Sequence, residues 1–123
     1  MRVSYAIVFV SDMERSVSFY KDIVGLPLKF ESPVWTEFAT GGATLALHAS
    51  EHPDPDAGDP LSVGPGRCRP GLRVPDLDEF HSKMLEHEVP CVQEPKETFG
   101  AWLAQYLDPD GLAISVGEEP REV

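Results

Sequence analysis

The stretch from Tyr5 to Gly25, YAIVFVSDMERSVSFYKDIVG, decides how this chain folds. Its first six residues, Tyr5 to Val10, form an apolar run rich in β-branched and aromatic side chains, the composition of a strand. Ser11 and Asp12 follow as candidate N-caps and Glu14 can close a capping box, so a helix is expected to start there. Met13, Val17, Tyr20 and Val24 recur at three- and four-residue steps, Phe19 and Ile23 widen that stripe, and Gly25 supplies a left-handed stop. Beyond Pro27 lie three β-rich runs, Leu28 to Glu31, Trp35 to Thr40 and Thr44 to His48, separated by Ser32-Pro33 and Gly41-Gly42. The segment reads βαβββ.

The same order then returns. Gly71 to Val74 reads as a strand, Asp76 as a cap, and Leu77, Phe80, Met84 and Leu85 as one helical face, while His81 and His87 are expected to face solvent. Pro90 to Gln93, Trp102 to Leu107 and Leu112 to Val116 supply three more strands, the last two joined by the turn Asp108-Pro109-Asp110-Gly111. Gly42 to Leu47 and Gly111 to Val116 align without a gap. A repeated supersecondary unit fixes the architecture. The expected class is α+β, with two βαβββ modules at about residues 3–50 and 68–118. Residues 51–67, rich in Pro, Gly and Asp, join them as a linker or loop. One module alone would bury too little apolar surface, so the 123 residues are expected to form a single domain.

Composition narrows the function classes. With 41% hydrophobic and 25% charged residues, the chain is an ordinary globular protein rather than a disordered one. A formal net charge of -11 repels phosphate backbones, which argues against nucleic acid as a partner. No run approaches the roughly 20 apolar residues of a membrane span, and no signal core opens the chain, so a cytoplasmic location without a membrane partner is expected. Cys68 and Cys91 form no metal-spaced cluster and are expected to be reduced thiols.

The segments Val10 to Ser16 with Phe19-Tyr20, Gly25 to Leu28, Val74 to Asp78 and Asp108 to Gly111 together resemble the glyoxalase/bleomycin-resistance/dioxygenase (vicinal oxygen chelate) superfamily. The resemblance runs from about residue 3 to 118 and implies that each half curls its sheet around a cup, two halves pairing to enclose a site, often in a homodimer. It implies no single reaction, because members range from glyoxalases, epimerases and dioxygenases to antibiotic-binding proteins. Strand alternation then divides the side chains between two faces. Ala6, Val8, Val10, Leu45, Leu47, Leu72, Val74, Leu112, Ile114 and Val116 are expected under the helices. Tyr5, Ile7, Phe9, Thr44, Ala46 and His48 are expected in the first cup, and Arg69, Gly71, Arg73, Ala113, Ser115 and Gly117 in the second.

Family enzymes carry a His or Glu metal ligand on the first and fourth strands of each half. The matching positions here are Tyr5, Ala46, Arg69 and Ser115. Alanine offers no donor, arginine is a permanent cation, and the two alcohols are poor ligands while protonated, so no metal and no cofactor is expected. His48 lies on the same strand face as Ala46. It is either a hydrogen-bonded cup or edge histidine, or part of a relocated metal site with Glu51 and His52 in the loop beyond. No nucleophile elbow, Cys-His-acid arrangement or phosphate loop is present. Phe38 is expected in the core, whereas Trp35, Phe99 and Trp102 either fill core or form stacking walls.

The expected ligand-binding set is Tyr5, Phe9, Trp35, His48, Arg69, Arg73, Trp102 and Ser115. The leading reading is a small-molecule binder, as in ligand or antibiotic sequestration, with an anionic or carbonyl-rich ligand favoured by Arg69 and Arg73 unless Glu37 or Asp108 already pairs them. The alternatives are a lyase, isomerase or dioxygenase with shifted ligands or with Tyr5, His48 and an arginine in proton transfer, and an interaction module whose cup its own side chains fill.

Overall fold

Val8 and Val10 are buried while Phe9 between them is exposed, the period-two signature of a strand with one covered face. This strand, β1 (Tyr5–Val10), opens the first of two units into which a computed structural model divides the chain between Pro55 and Asp56. The described residues are 1–50, 65, 68–98 and 100–120. The linker expectation for 51–67 therefore lies almost wholly outside them, as do Glu51, His52 and Phe99.

In the first unit, Asp12 caps α1 (Met13–Ser18) by accepting a hydrogen bond from the Arg15 amide at 3.0 Å. The helix then widens into π-helical turns over Phe19–Val24 and stops at Gly25, whose φ of 96° suits glycine. This departs from the regular stripe expected from Met13 to Val24. The wider turns let two consecutive rings, Phe19 and Tyr20, both enter the core, 4.9 Å apart and edge to face, while Val24 is only half-buried. Strands β2 (Leu28–Glu31), β3 (Trp35–Phe38) and β4 (Thr44–Ala49) complete a sheet of order β1-β4-β3-β2, with β1 parallel to β4 and the remaining pairs antiparallel. Strand β3 ends at Phe38 rather than Thr40, because the Thr40 hydroxyl bonds the Gly42 amide and the Ala43 carbonyl and turns the chain. Phe38 is fully buried, as expected.

The second unit repeats this plan. Strand β5 (Gly71–Val74) leads to α2 (Leu77–Glu86), followed by β6 (Cys91–Thr98), β7 (Ala101–Leu107) and β8 (Ala113–Glu118) in the order β5-β8-β7-β6. Asp76 accepts from the Glu79 amide at 3.1 Å, and Glu118 accepts from the Leu77 amide at 3.2 Å. Strand β6 runs past Gln93 to Thr98. The strand has two register shifts, and the one between Gln93 and Lys96 absorbs Pro95, which an edge strand tolerates because no neighbour needs its missing N–H. Asp108 shapes the predicted turn by accepting from the Asp110 and Leu112 amides.

Two helix expectations fail. Leu85 is exposed, since Leu77, Phe80 and Met84 already fill the covered face and Leu85 lies about 100° past Met84. His81 does not face solvent freely; its Nδ1 meets the buried Tyr106 hydroxyl at 2.8 Å, whereas His87 is exposed. In each unit the core lies between helix and sheet, and the opposite sheet face is open within that unit. No described helix is long and apolar enough to cross a membrane.

Candidate functional site

The open face of the first unit is built by register. Phe9 pairs with His48 and His48 with Trp35, so three strands place their side chains in one row across β1, β4 and β3. The Phe9 and His48 rings are 5.5 Å apart and tilted; Trp35 stands perpendicular to His48 at 5.9 Å. Ile7, Ala46 and Glu37 form the next row, and Tyr5 with Thr44 the one beyond. Tyr5 touches Trp35 edge to face at 6.1 Å, a contact that runs diagonally across the Ala46 row. Consequently Ala46 has no exposed surface although its side chain points to the open face.

Exposure decides what this surface is for. Phe9 is 65% exposed, Tyr5 and Ile7 48% each, and Phe30 of the edge strand 52%. Large apolar groups gathered on one face mark a surface that something else covers. Its polar parts are ordered. The Trp35 indole donates to Glu37 Oε2 at 3.1 Å, Lys29 Nζ lies 3.8 Å from Glu37, and Lys29 donates to Thr44 Oγ1 at 3.5 Å. Lys29 and Phe30 were not among the residues singled out by sequence, and Glu37 was named only as a possible partner for the arginines. The signal for Glu37 was its place between Thr36 and Phe38, both buried toward the helix.

The second unit's open face is different chemically. Gly71 pairs with Ser115 and Arg73 with Gly117, placing Arg73 and the half-buried Ser115 on it. Half-buried Arg69 precedes β5 by two residues. Neither arginine has an ion-pair partner among the described residues: Glu37 is engaged by Lys29 and Trp35, and Asp108 by its own turn. Leu103 covers Gly117, where a Cβ would come within 2.9 Å of its side chain.

Trp102 is not on this face. It alternates with Ala104 and Tyr106, which are buried under α2, and it lines a shallow depression with Asp78 of α2, Glu97 and Glu118. By pairing, the equivalent of Trp35 is Leu103, because each stands opposite the same repeat position, His48 or Gly117. Counting back by twos from Tyr106 was the available signal. The Tyr106 phenol itself is held above its usual range by burial, with Cys91 adding to the effect.

The residues present do not fit a divalent cation in the family's positions. Ala46 has no donor and is closed over, Arg69 repels a cation, and among the described residues no group of three or more His, Cys, Asp or Glu is placed to hold a metal. The proposed partners of His48 in a relocated site, Glu51 and His52, lie outside the described residues.

The two open faces diverge where the helix-covered faces agree. Equivalent covered pairs are Val8 and Leu72, Val10 and Val74, Leu45 and Ile114, Leu47 and Val116, and Phe38 and Tyr106. Equivalent open pairs are Phe9 and Arg73, His48 and Gly117, Trp35 and Leu103, and Glu37 and Gln105.

Comparison with known proteins agrees with this plan. The family model described as the Glyoxalase/Bleomycin resistance protein/Dioxygenase superfamily matches residues 2–116. An uncharacterized protein, YraH of Bacillus subtilis (strain 168), is 26% identical over 115 residues, covering 87% of this chain and 90% of that protein. TnmS3, an antibiotic binding protein from Streptomyces sp. CB03234, is 28% identical and superposes with a TM-score of 0.73, covering 98% of this chain and 97% of that one. A glyoxalase/dioxygenase from Nostoc punctiforme shares the fold, with a TM-score of 0.78 at 21% identity over 98% of this chain and 92% of that one.

Proposed function

This chain belongs to the glyoxalase/bleomycin resistance protein/dioxygenase superfamily, and from that premise we propose that it is a small-molecule-binding protein that holds an aromatic ligand without a metal. The observation that carries this reading is the row of exposed Phe9 and His48 with half-buried Trp35, on a sheet face whose family metal position is the covered Ala46. Rigid rings offer large contact area at small entropic cost, and they favour flat apolar ligands. The likeness to TnmS3 supports sequestration of an antibiotic-like molecule rather than turnover. On the second unit's own open face, Arg73, with Arg69 two residues before β5, favours an anionic or carbonyl-rich ligand, since neither has an ion-pair partner among the described residues and a guanidinium binds carboxylate well. We read the protein as a homodimer, because edge strand β2 exposes Leu28 and Phe30.

Calorimetric titration with 2-naphthoate and with a naphthyl trimethylammonium salt tests the reading. The anion should bind more tightly, and Trp35→Ala should weaken it about tenfold, the order expected for a lost aromatic contact. Arg69→Ala and Arg73→Ala should weaken the anion selectively. Tighter binding of the cation, strengthened by removing either arginine, would replace the anion preference with cation sequestration. No binding of either compound would reject the reading.

A further inference from the structure

His48 is held in one orientation from three sides. Its Nδ1 lies 2.7 Å from the Ala49 carbonyl oxygen, its ring meets Phe9, and the perpendicular Trp35 indole is itself tied to Glu37. A carbonyl oxygen can only accept, so Nδ1 carries the proton of this hydrogen bond, and the neutral imidazole keeps its lone pair on Nε2. No described residue bonds Nε2. Within the row of rings, this nitrogen is a fixed acceptor in an apolar wall.

We infer that His48 Nε2 selects the ligand by accepting a hydrogen bond from a hydroxyl on the ligand's aromatic ring. The inference rests on the binding reading above and names its ligand class: ring hydroxyl compounds rather than plain or etherified aromatics. The physical ground is asymmetric. A ligand that covers Nε2 without supplying a donor strips it of water and leaves it unpaired, whereas a ring hydroxyl replaces that water directly. Nδ1 cannot substitute, because the Ala49 carbonyl occupies it. The discrimination should be moderate, since the face is open to water before binding.

Three matched probes test this: 6-hydroxy-2-naphthoate, 6-methoxy-2-naphthoate and unsubstituted 2-naphthoate, titrated calorimetrically. Wild type should prefer the hydroxyl compound over both others by about fivefold or more. His48→Phe keeps a ring in the row and should bring the three affinities to within about twofold of each other. His48→Gln, whose amide oxygen can accept, should restore part of the preference. His48 is exposed, so both variants should melt within a few degrees of wild type. Equal binding of all three probes by wild type, or a preference that survives in His48→Phe, overturns the role of His48 while leaving the binding reading intact. Binding of none overturns both.

Discussion

Cys91 and Cys68 show how position alone separates two chemically identical groups. Cys68 is exposed, whereas Cys91 is half-buried in β6 opposite Tyr106. Burial pushes the Cys91 thiol up, and nearby Glu94 pushes it further, against a smaller opposing hydrogen bond from the Gln93 backbone. Only the thiolate is nucleophilic, so iodoacetamide near pH 8 should modify Cys68 first and Cys91 several-fold more slowly. The Cys91 rate should keep climbing as pH rises beyond the ordinary thiol range. Peptide mapping by mass spectrometry resolves the two sites, and faster labelling of Cys91 would contradict the burial account. At this scale the sequence was legible in part. Alternation put His48, Tyr5 and Phe9 on one face and sets Trp35 beside Glu37, but the lining-up of Phe9, His48 and Trp35 in one row depends on register, and the pairing of His81 with Tyr106 on helix rotation, neither of which spacing carries.

Both helices begin at an aspartate whose side chain accepts an amide hydrogen bond three residues on; the sequence pointed to Asp76 directly and to Asp12 as one of two candidates with Ser11. Asp12→Ala should destabilise the protein by about 1 kcal/mol in urea unfolding. Asp76→Ala should cost less, because Glu118 also receives an amide of that helix, and adding Glu118→Ala should uncover the remainder. Equal costs for the two aspartates would count against the second acceptor. The repeat, the element order and the turn at Asp108 were equally legible, since local caps, breakers and periodicity all pointed to the same plan. The π-helical turns over Phe19–Val24 were not. Apolar residues 19, 20, 23 and 24 satisfy a three-and-four spacing as well as they satisfy a wider turn, and only packing of both rings against the sheet separates the two. Trp102 escaped for a related reason: a one-residue difference in a strand exchanges its two faces, and counting back by twos places Trp102 only once Tyr106 is known to be buried under the helix.

For the whole molecule, pairing is the property most open to test. Edge strand β2 carries Leu28 and Phe30 outward, with Lys29 and Glu31 as its only charges, and a second copy would remove that edge from water. Sedimentation at tens of micromolar should show a species of twice the 13.5 kDa chain mass, and Phe30→Lys should shift it toward the single chain. A wild-type protein that sediments only as the single chain would exclude the pairing. The divergence of the two open faces over matching covered faces carries a further consequence, for design. Positions 9, 35, 37, 48, 73, 103, 105 and 117 already hold aromatic, aliphatic, acidic, amide, basic and glycine residues on one shared backbone plan. A combinatorial library confined to those eight codons therefore samples new ligand preferences while leaving untouched the side chains that hold each sheet to its helix.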